Sequence, residues 1–300
     1  MQTGGGFQMH DLICGKLLGD GCLTKQEGRK PRFQFSHTVK DKEWCEHCFE
    51  QLNSFLPLTP PKYRKTFDSR MVSGYTECYM VQSRTSSELC QLYELWYPQS
   101  KKELPLTYIE KHFNEKSLAW WYQDDGHFKQ KDGIPKKIIF STDSFSLKEN
   151  YFLIDFLQRK YDLRFSIDAQ NRLLLYDQFQ IIYLLKLIEP HTHKSMARKT
   201  LVPSEPKKIA TRSTIYLPTD ISLIKPTPEI NEQYKKLPKL VTLAEEAIEF
   251  SKFYISFQKT LQTTKPYQIK INAESQKILS QLKVQTGLNL SQLTALCFKL

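Results

Sequence analysis

Two apolar runs along the chain end in the same way. Ile13-Cys14-Gly15-Lys16-Leu17-Leu18-Gly19-Asp20-Gly21 closes on an acid and a glycine, and so does Leu118-Ala119-Trp120-Trp121-Tyr122-Gln123-Asp124-Asp125-Gly126. A single Asp-Gly after an apolar run is ordinarily a turn, because both residues tolerate the backbone angles that turns need. Here the pattern recurs. Asp20 and Asp125 stand 105 positions apart, and the same offset carries Phe35-Ser36 onto Phe140-Ser141. It then carries Phe49 and Leu52 onto Ile154 and Leu157 without a gap, so the chain contains two related halves.

Each half predicts the same order of elements. A helix ends in Asp-Gly, and an extended region closes in a strand, residues 32–38 or 137–143. A helix follows at about 40–55 or 146–160, a second strand region at 62–82 or 163–176, and a further helix at 86–96 or 178–189. On the first matched strand Phe33 and Phe35 face one way, and Arg32, Gln34 and Ser36 the other. That is the period of a sheet with one face on a core and one face free. The free faces carry basic residues, with Lys62, Arg64 and Lys65 in the first half and Arg164 and Arg172 in the second. Both halves close on a lysine shortly before a proline: Lys102 before Pro105, Lys199 before Pro203.

The run-ending motifs have a chemistry of their own. Gly15 and Gly19, four apart, give the first helix a face without side chains that another backbone can approach closely. The acid is expected in the last helical position, with Gly21 or Gly126 breaking the helix after it. A carboxylate there meets the negative end of the helix dipole, and two brought together repel each other further. Such a pair calls for a cation between them, and hard oxygen ligands select Mg²⁺. Trp120 stands where the first copy has Gly15, so the two helices are not expected to pack as mirror copies.

After residue 204 the character changes. Residues 204–238 read as a polar, Pro-punctuated connector with little apolar periodicity. Residues 239–300 read as a mainly helical appendage. It opens on the amphipathic stretch KLVTLAEEAIEFSKFYISF and ends in a short strand, a helix, a stop at Gly287 and a last helix begun near Asn289 or Ser291. That final order resembles a ribbon-helix-helix DNA-binding unit, whose strand would require a partner strand; the alternative is a helical hairpin packed on the main body.

Charge narrows the partner. Lys and Arg total 43 against 32 Asp and Glu, a net +11, which points to a polyanion, most often nucleic acid. No apolar run approaches membrane-spanning length, and the opening MQTGGGFQMHDL lacks the order of a secretory signal, so residues 1–8 read as a flexible lead-in. Seven scattered cysteines point to a reducing compartment: bacterial cytoplasm, or an organellar matrix or stroma. Cys45, His47 and Cys48 have metal-like spacing, yet no second ligand pair accompanies them, and two thiols one helical turn apart read as core packing.

The two nonapeptides resemble the paired motifs of the LAGLIDADG homing endonucleases, in the single-chain, two-motif branch; the likeness spans roughly residues 9–203. It implies an α+β fold of two pseudo-symmetric αββαββα halves, residues 9–105 and 106–203, forming a DNA-binding saddle with a monomeric core. It implies a metal-dependent endonuclease that hydrolyses one phosphodiester bond on each strand of a long, asymmetric site. Asp20 and Asp125 would hold Mg²⁺, with Mn²⁺ able to substitute, and Gly19 and Asp124 would stand beside them at the metal. The supporting basic residues of the family map onto Lys102 and Lys199. Arg32, Gln34, Ser36, Lys62, Arg64, Lys65, Lys137, Ser141, Arg164 and Arg172 would face duplex DNA. An intron RNA maturase, with the chain's own intron RNA as partner, and a catalytically silent DNA-binding regulator are the alternatives on this scaffold.

Overall fold

The computed structural model describes residues 5–202, 205–257 and 263–300. Pro203, paired above with Lys199, and residues 1–4 of the lead-in lie outside the described residues. The first half runs α1 (Gly5–Leu18), β1 (Gly21–Thr24), β2 (Arg32–Thr38), α2 (Lys42–Asn53), β3 (Lys62–Phe67), β4 (Tyr75–Gln82) and α3 (Ser87–Trp96). A short helix, α4 (Leu106–His112), leads into the second half. There α5 (Glu115–Asp125), β5 (Gly126–Lys131), β6 (Ile134–Phe140), α6 (Leu147–Tyr161), β7 (Ser166–Ile167), β8 (Leu173–Leu175) and α7 (Gln178–Ile188) repeat the αββαββα order. Both sheets are antiparallel and share one topology, β1-β2-β4-β3 and β5-β6-β8-β7.

Local signals set the element ends. Asn114 accepts from the backbone N–H groups of Lys116 and Ser117, and the Ser117 hydroxyl accepts from the Asn114 backbone N–H, which completes the capping box of α5. Ser146 and Glu149 form the corresponding box on α6. Alternation then decides which face is buried: Phe33 and Phe35 sit in the core while Arg32 and Gln34 are half-buried and Ser36 is exposed. In the second half β6 ends at Phe140, three residues short of the expected strand.

The segment expected as a connector carries structure. Between residues 205 and 238 lie strand β9 (Arg212–Pro218) and helix α8 (Pro226–Gln233). Then come α9 (Leu237–Glu245), α10 (Ala247–Phe257), β10 (Thr264–Lys270), α11 (Ala273–Thr286) and α12 (Leu290–Lys299). β9 pairs antiparallel with β10, Ile215 opposite Tyr267, so the strand that needed a partner finds it within the same chain. Ile215 and Leu217 alternate with exposed residues on β9, a pattern too short to stand out in a Pro-rich stretch.

This appendage is docked on α7. Tyr183 stacks on Tyr254 with centroids 3.7 Å apart, and the Tyr254 hydroxyl donates to the Asp162 carbonyl at 3.0 Å. Gly287 ends α11 in the left-handed region, φ 75°, and a Cβ there would lie 2.7 Å from the Gln178 carbonyl carbon. Both the turn and the close approach therefore require glycine. No helix among the described residues is long and apolar enough to cross a membrane.

Candidate active site

Helices α1 and α5 cross at the seam between the halves, and their contact is close because α1 has bare faces. A Cβ on Gly15 would meet the Ser117 carbonyl oxygen at 2.6 Å and the Trp120 Cβ at 2.9 Å. A Cβ on Gly19 would meet the Asp124 Cβ at 2.6 Å. The motif glycines that follow the acids serve space rather than backbone angle. Gly126 leaves the helix with φ −77°, and a Cβ there would sit 2.2 Å from the Tyr122 ring. A Cβ on Gly21 would lie 2.6 Å from the Lys16 carbonyl oxygen.

This seam brings three carboxylates together. Asp125 is the last residue of α5, as expected, whereas Asp20 lies just beyond the end of α1. The Asp20 carboxylate is 38% exposed, and its Oδ2 lies 3.2 Å from the His37 Nδ1. Burial alone would raise its carboxyl; the hydrogen bond from His37 and the charges of Lys16 and Lys199 outweigh burial and hold it below the ordinary carboxylate value. Asp125 goes the other way. Burial first, then the charges of Asp20 and Asp124, push its carboxyl up to about 8 against the opposing pull of Lys102 and Lys199.

Asp124 is engaged on both oxygens. The Lys16 ammonium donates to Oδ1 at 2.8 Å and to Oδ2 at 3.0 Å, the Trp44 indole N–H to Oδ1 at 2.9 Å, and the Asp20 backbone N–H to Oδ2 at 3.1 Å. Both charged side chains of this pair are fully buried. Lys16 also reaches the His37 Nε2 at 2.7 Å. Asp20, His37 and Asp124 therefore offer a cluster of metal-ligand type, with one ligand atom from each within 4.8 Å of the others. The Lys16 ammonium already lies within bonding distance of two of its members.

The Asp20 carboxylate, 38% exposed, and the Asp125 carboxylate at the end of α5 are the hard oxygen donors that could hold a metal here. Two hard oxygen donors whose like charges raise one of them suit a divalent cation. Gly19 offers no side chain, and its role in the packing is to admit Asp124.

The two lysines arrive beside the motifs by different contacts. The Lys102 ammonium donates to the Gly21 carbonyl at 3.4 Å. The Lys199 ammonium donates to the carbonyls of Gln123 at 2.6 Å, Asp124 at 3.0 Å and Tyr122 at 3.4 Å, capping the C-terminus of α5. Burial lowers the affinity of both for their protons, against the raising effect of the nearby acids.

The expected DNA-facing residues divide. On the first sheet Gln34, Ser36 and Arg64 line one concave surface with Thr66, Arg70, Thr76, Cys78 and Met80. Arg32 shares that strand face and donates to the Gln82 side chain, and Lys62 lies two residues before Arg64 on β3. Lys65 faces the other way, its ammonium 3.5 Å over the Tyr75 ring. On the second sheet Lys137 is opposite Lys129, and the Ser141 hydroxyl lies 3.2 Å from His127 Nε2. Arg164 is exposed beside Asp162, whereas Arg172 is bound to Asp168 at 2.6 Å. Ile139 is buried, in register with the buried Leu174 of β8.

Sequence reasoning passed over Lys16, His37 and Trp44. The one available signal was a lysine inside a motif otherwise built for burial; its partner lies in the other half of the chain, where no local pattern points.

Comparison with known proteins follows the same lines. A family model described as the LAGLIDADG DNA endonuclease family matches residues 10–184. The uncharacterized protein MJ1098 of Methanocaldococcus jannaschii is 28% identical over 206 residues, covering 67% of this chain and 73% of that protein. The intron-encoded endonuclease ai4 of Dictyostelium discoideum is 30% identical over 130 residues, 41% of this chain and 77% of that protein. Among solved structures, the homing endonuclease I-WcaI bound to its DNA recognition sequence matches with a TM-score of 0.57 at 20% identity. That match covers 65% of this chain and 86% of that one, and the likeness is one of fold.

Proposed function

The chain belongs to the LAGLIDADG DNA endonuclease family, and from that premise we propose that it is a site-specific endonuclease that hydrolyses one phosphodiester bond on each strand of a long, asymmetric duplex, using a divalent metal. The observation that carries this reading is the convergence of Asp20 and Asp125 at the α1–α5 seam, with like charges and burial pushing the Asp125 carboxyl up to about 8. A site built to hold two such acids without a cation would be working against itself.

Hydrolysis bonds a water oxygen to phosphorus and breaks the bond to the departing sugar oxygen, so one proton must be taken up and one developing charge met. A divalent ion held by Asp20 and Asp125 would supply the Lewis acidity that makes the water easier to deprotonate, its proton passing to solvent, and that stabilises the departing oxygen. Lys102 and Lys199 are the protein's own contribution to the charge that develops, one beside each motif. The surface of Gln34, Ser36 and Arg64, with Lys62 on the same strand as Arg64, supplies contacts for the first half of the duplex, and Lys129, Lys137 and Arg164 for the second. The net charge of +11 favours this polyanion at long range.

The test is a cleavage survey. Genomic DNA incubated with Mg²⁺ and wild-type protein is expected to show rare, recurrent double-strand breaks at one sequence, absent with Asp125→Asn. Duplex binding without breaks in any DNA would remove the catalytic claim and leave the regulator; preferential binding of intron RNA would favour the maturase.

A further inference from the structure

The 105-residue offset that aligns the two acids also asks what surrounds each of them. It carries His37 onto Thr142, Lys16 onto Trp121 and Trp44 onto Glu149. His37, which faces Asp20, and Lys16 and Trp44, which donate to Asp124, have no chemical equivalents under this offset. Thr142 is buried and donates to the Asn171 carbonyl at 3.1 Å. Among the described residues no hydrogen bond reaches the Asp125 carboxylate; the contact recorded there is the Ser141 N–H donating to its main-chain carbonyl at 3.2 Å.

The contact at Asp20 is directional. An ammonium has three donors and no acceptor, so the His37 Nε2 at 2.7 Å from Lys16 accepts. The ring proton is then on Nδ1, aimed at the Asp20 Oδ2 at 3.2 Å. The ring cannot easily turn away. It is 6% exposed and lies against Phe35 and Trp44, with centroids 5.8 and 6.3 Å away. Lys16 is fixed in turn by both oxygens of Asp124. A continuous line of contacts therefore runs from Asp124 on α5 through Lys16 on α1 and His37 on β2 to Asp20.

We propose that His37 is a positioning residue for Asp20: with its tautomer set by Lys16, it holds one carboxylate oxygen and leaves the other free for the metal, so that the half-site built on Asp20 is preset while the one built on Asp125 is not. The two strands of the target are then cut by unequal half-sites. This rests on the endonuclease reading above.

Two measurements test it. The first uses a supercoiled plasmid carrying the cleavage site, with each strand labelled separately. His37→Ala is expected to slow cutting of one strand by about tenfold or more relative to the other, the loss typical of a removed outer-shell partner. Nicked circles would accumulate, all with the same strand intact. His37→Asn keeps a donor near the Nδ1 position and is expected to restore the ratio, while Thr142→Ala leaves it where it was. Equal slowing of both strands, or an unchanged ratio in His37→Ala, overturns the proposal.

The second measurement does not need cleavage. Mn²⁺ titration of the full chain, followed by its paramagnetic resonance signal, is expected to show weakened binding in His37→Ala and recovery in His37→Asn. Identical Mn²⁺ isotherms in all three proteins, or no Mn²⁺ bound by wild type, overturn it as well. If wild type binds Mn²⁺ with this dependence on His37 but cuts no DNA, the endonuclease reading fails while the positioning role stands.

Discussion

Lys16 and Asp124, one from each motif, form an ion pair 2.8 Å long with both side chains fully buried. Burial works against the ammonium, but the charge of Asp124, with those of Cys48 and Asp20 and the hydrogen bond to Asp124, together outweigh it and hold the Lys16 ammonium well above the ordinary lysine value. Removing one partner leaves the other charge uncompensated in the core. Lys16→Met should therefore cost about 3–5 kcal/mol in urea unfolding. The double variant Lys16→Met with Asp124→Asn should recover much of the loss, because it removes both charges together. A cost below about 1 kcal/mol for the single change would show the pair to be a minor contributor.

Asp125 makes stability depend on pH in a definite direction. Its carboxyl rises from 3.8 to about 8 on folding, so the folded state holds an extra proton between those values. Stability is fully present below the unfolded value and is lost as pH climbs toward 8. Without metal, the melting temperature of wild type should fall from about pH 5 to about pH 8, and Asp125→Asn should flatten that fall. Mg²⁺ held at Asp125 as proposed would compete with the proton and should restore wild type most at the alkaline end. A wild-type melting temperature that rises over this range would contradict the raised carboxyl.

Gly19 tests the seam by volume. Its Cβ would stand 2.6 Å from the Asp124 Cβ and 2.7 Å from its Oδ2. Gly19→Ala should destabilise by about 1–3 kcal/mol through overpacking. A stabilised variant would mean that the helices have room to separate.

DNA contact can be read from salt. If Lys62 and Arg64 each neutralise a phosphate, replacing either by alanine should reduce the slope of log affinity against log salt by about 0.9. Lys65→Ala should leave the slope alone, because Lys65 sits on the opposite strand face with its ammonium over Tyr75. Equal effects from all three would mean that the charge acts as a diffuse field rather than through one face.

Periodic features were the legible ones. The internal repeat, the burial of Phe33 and Phe35, the stop at Gly287 and the last helix begun at Asn289 all follow from spacing along one stretch of chain. Contacts between stretches were not. His37 reads as one more polar position on β2 until Asp20 and Lys16 are seen on either side of its ring. β9 stayed hidden for a related reason: its partner β10 lies beyond three intervening helices, and the prolines around it suggested a connector. Lys65 looks like Lys62 and Arg64 in the sequence, three cations in four residues, although alternation along β3 turns it to the other face from Arg64.

The buried pair at the seam has a consequence for the ancestry the repeat implies. Under the 105-residue offset, Asp124 corresponds to Gly19 and Lys16 to Trp121. A twin made of two first halves would bury two ammonium groups without the Asp124 carboxylate that receives Lys16 here. A twin of two second halves would bury two carboxylates opposite tryptophan, with no ammonium at all. Each half supplies the counterion that the other lacks at the seam, so a half paired with a copy of itself would lose the contact between Lys16 and Asp124. The repeat makes the halves alike, and one lysine and one aspartate make them complementary.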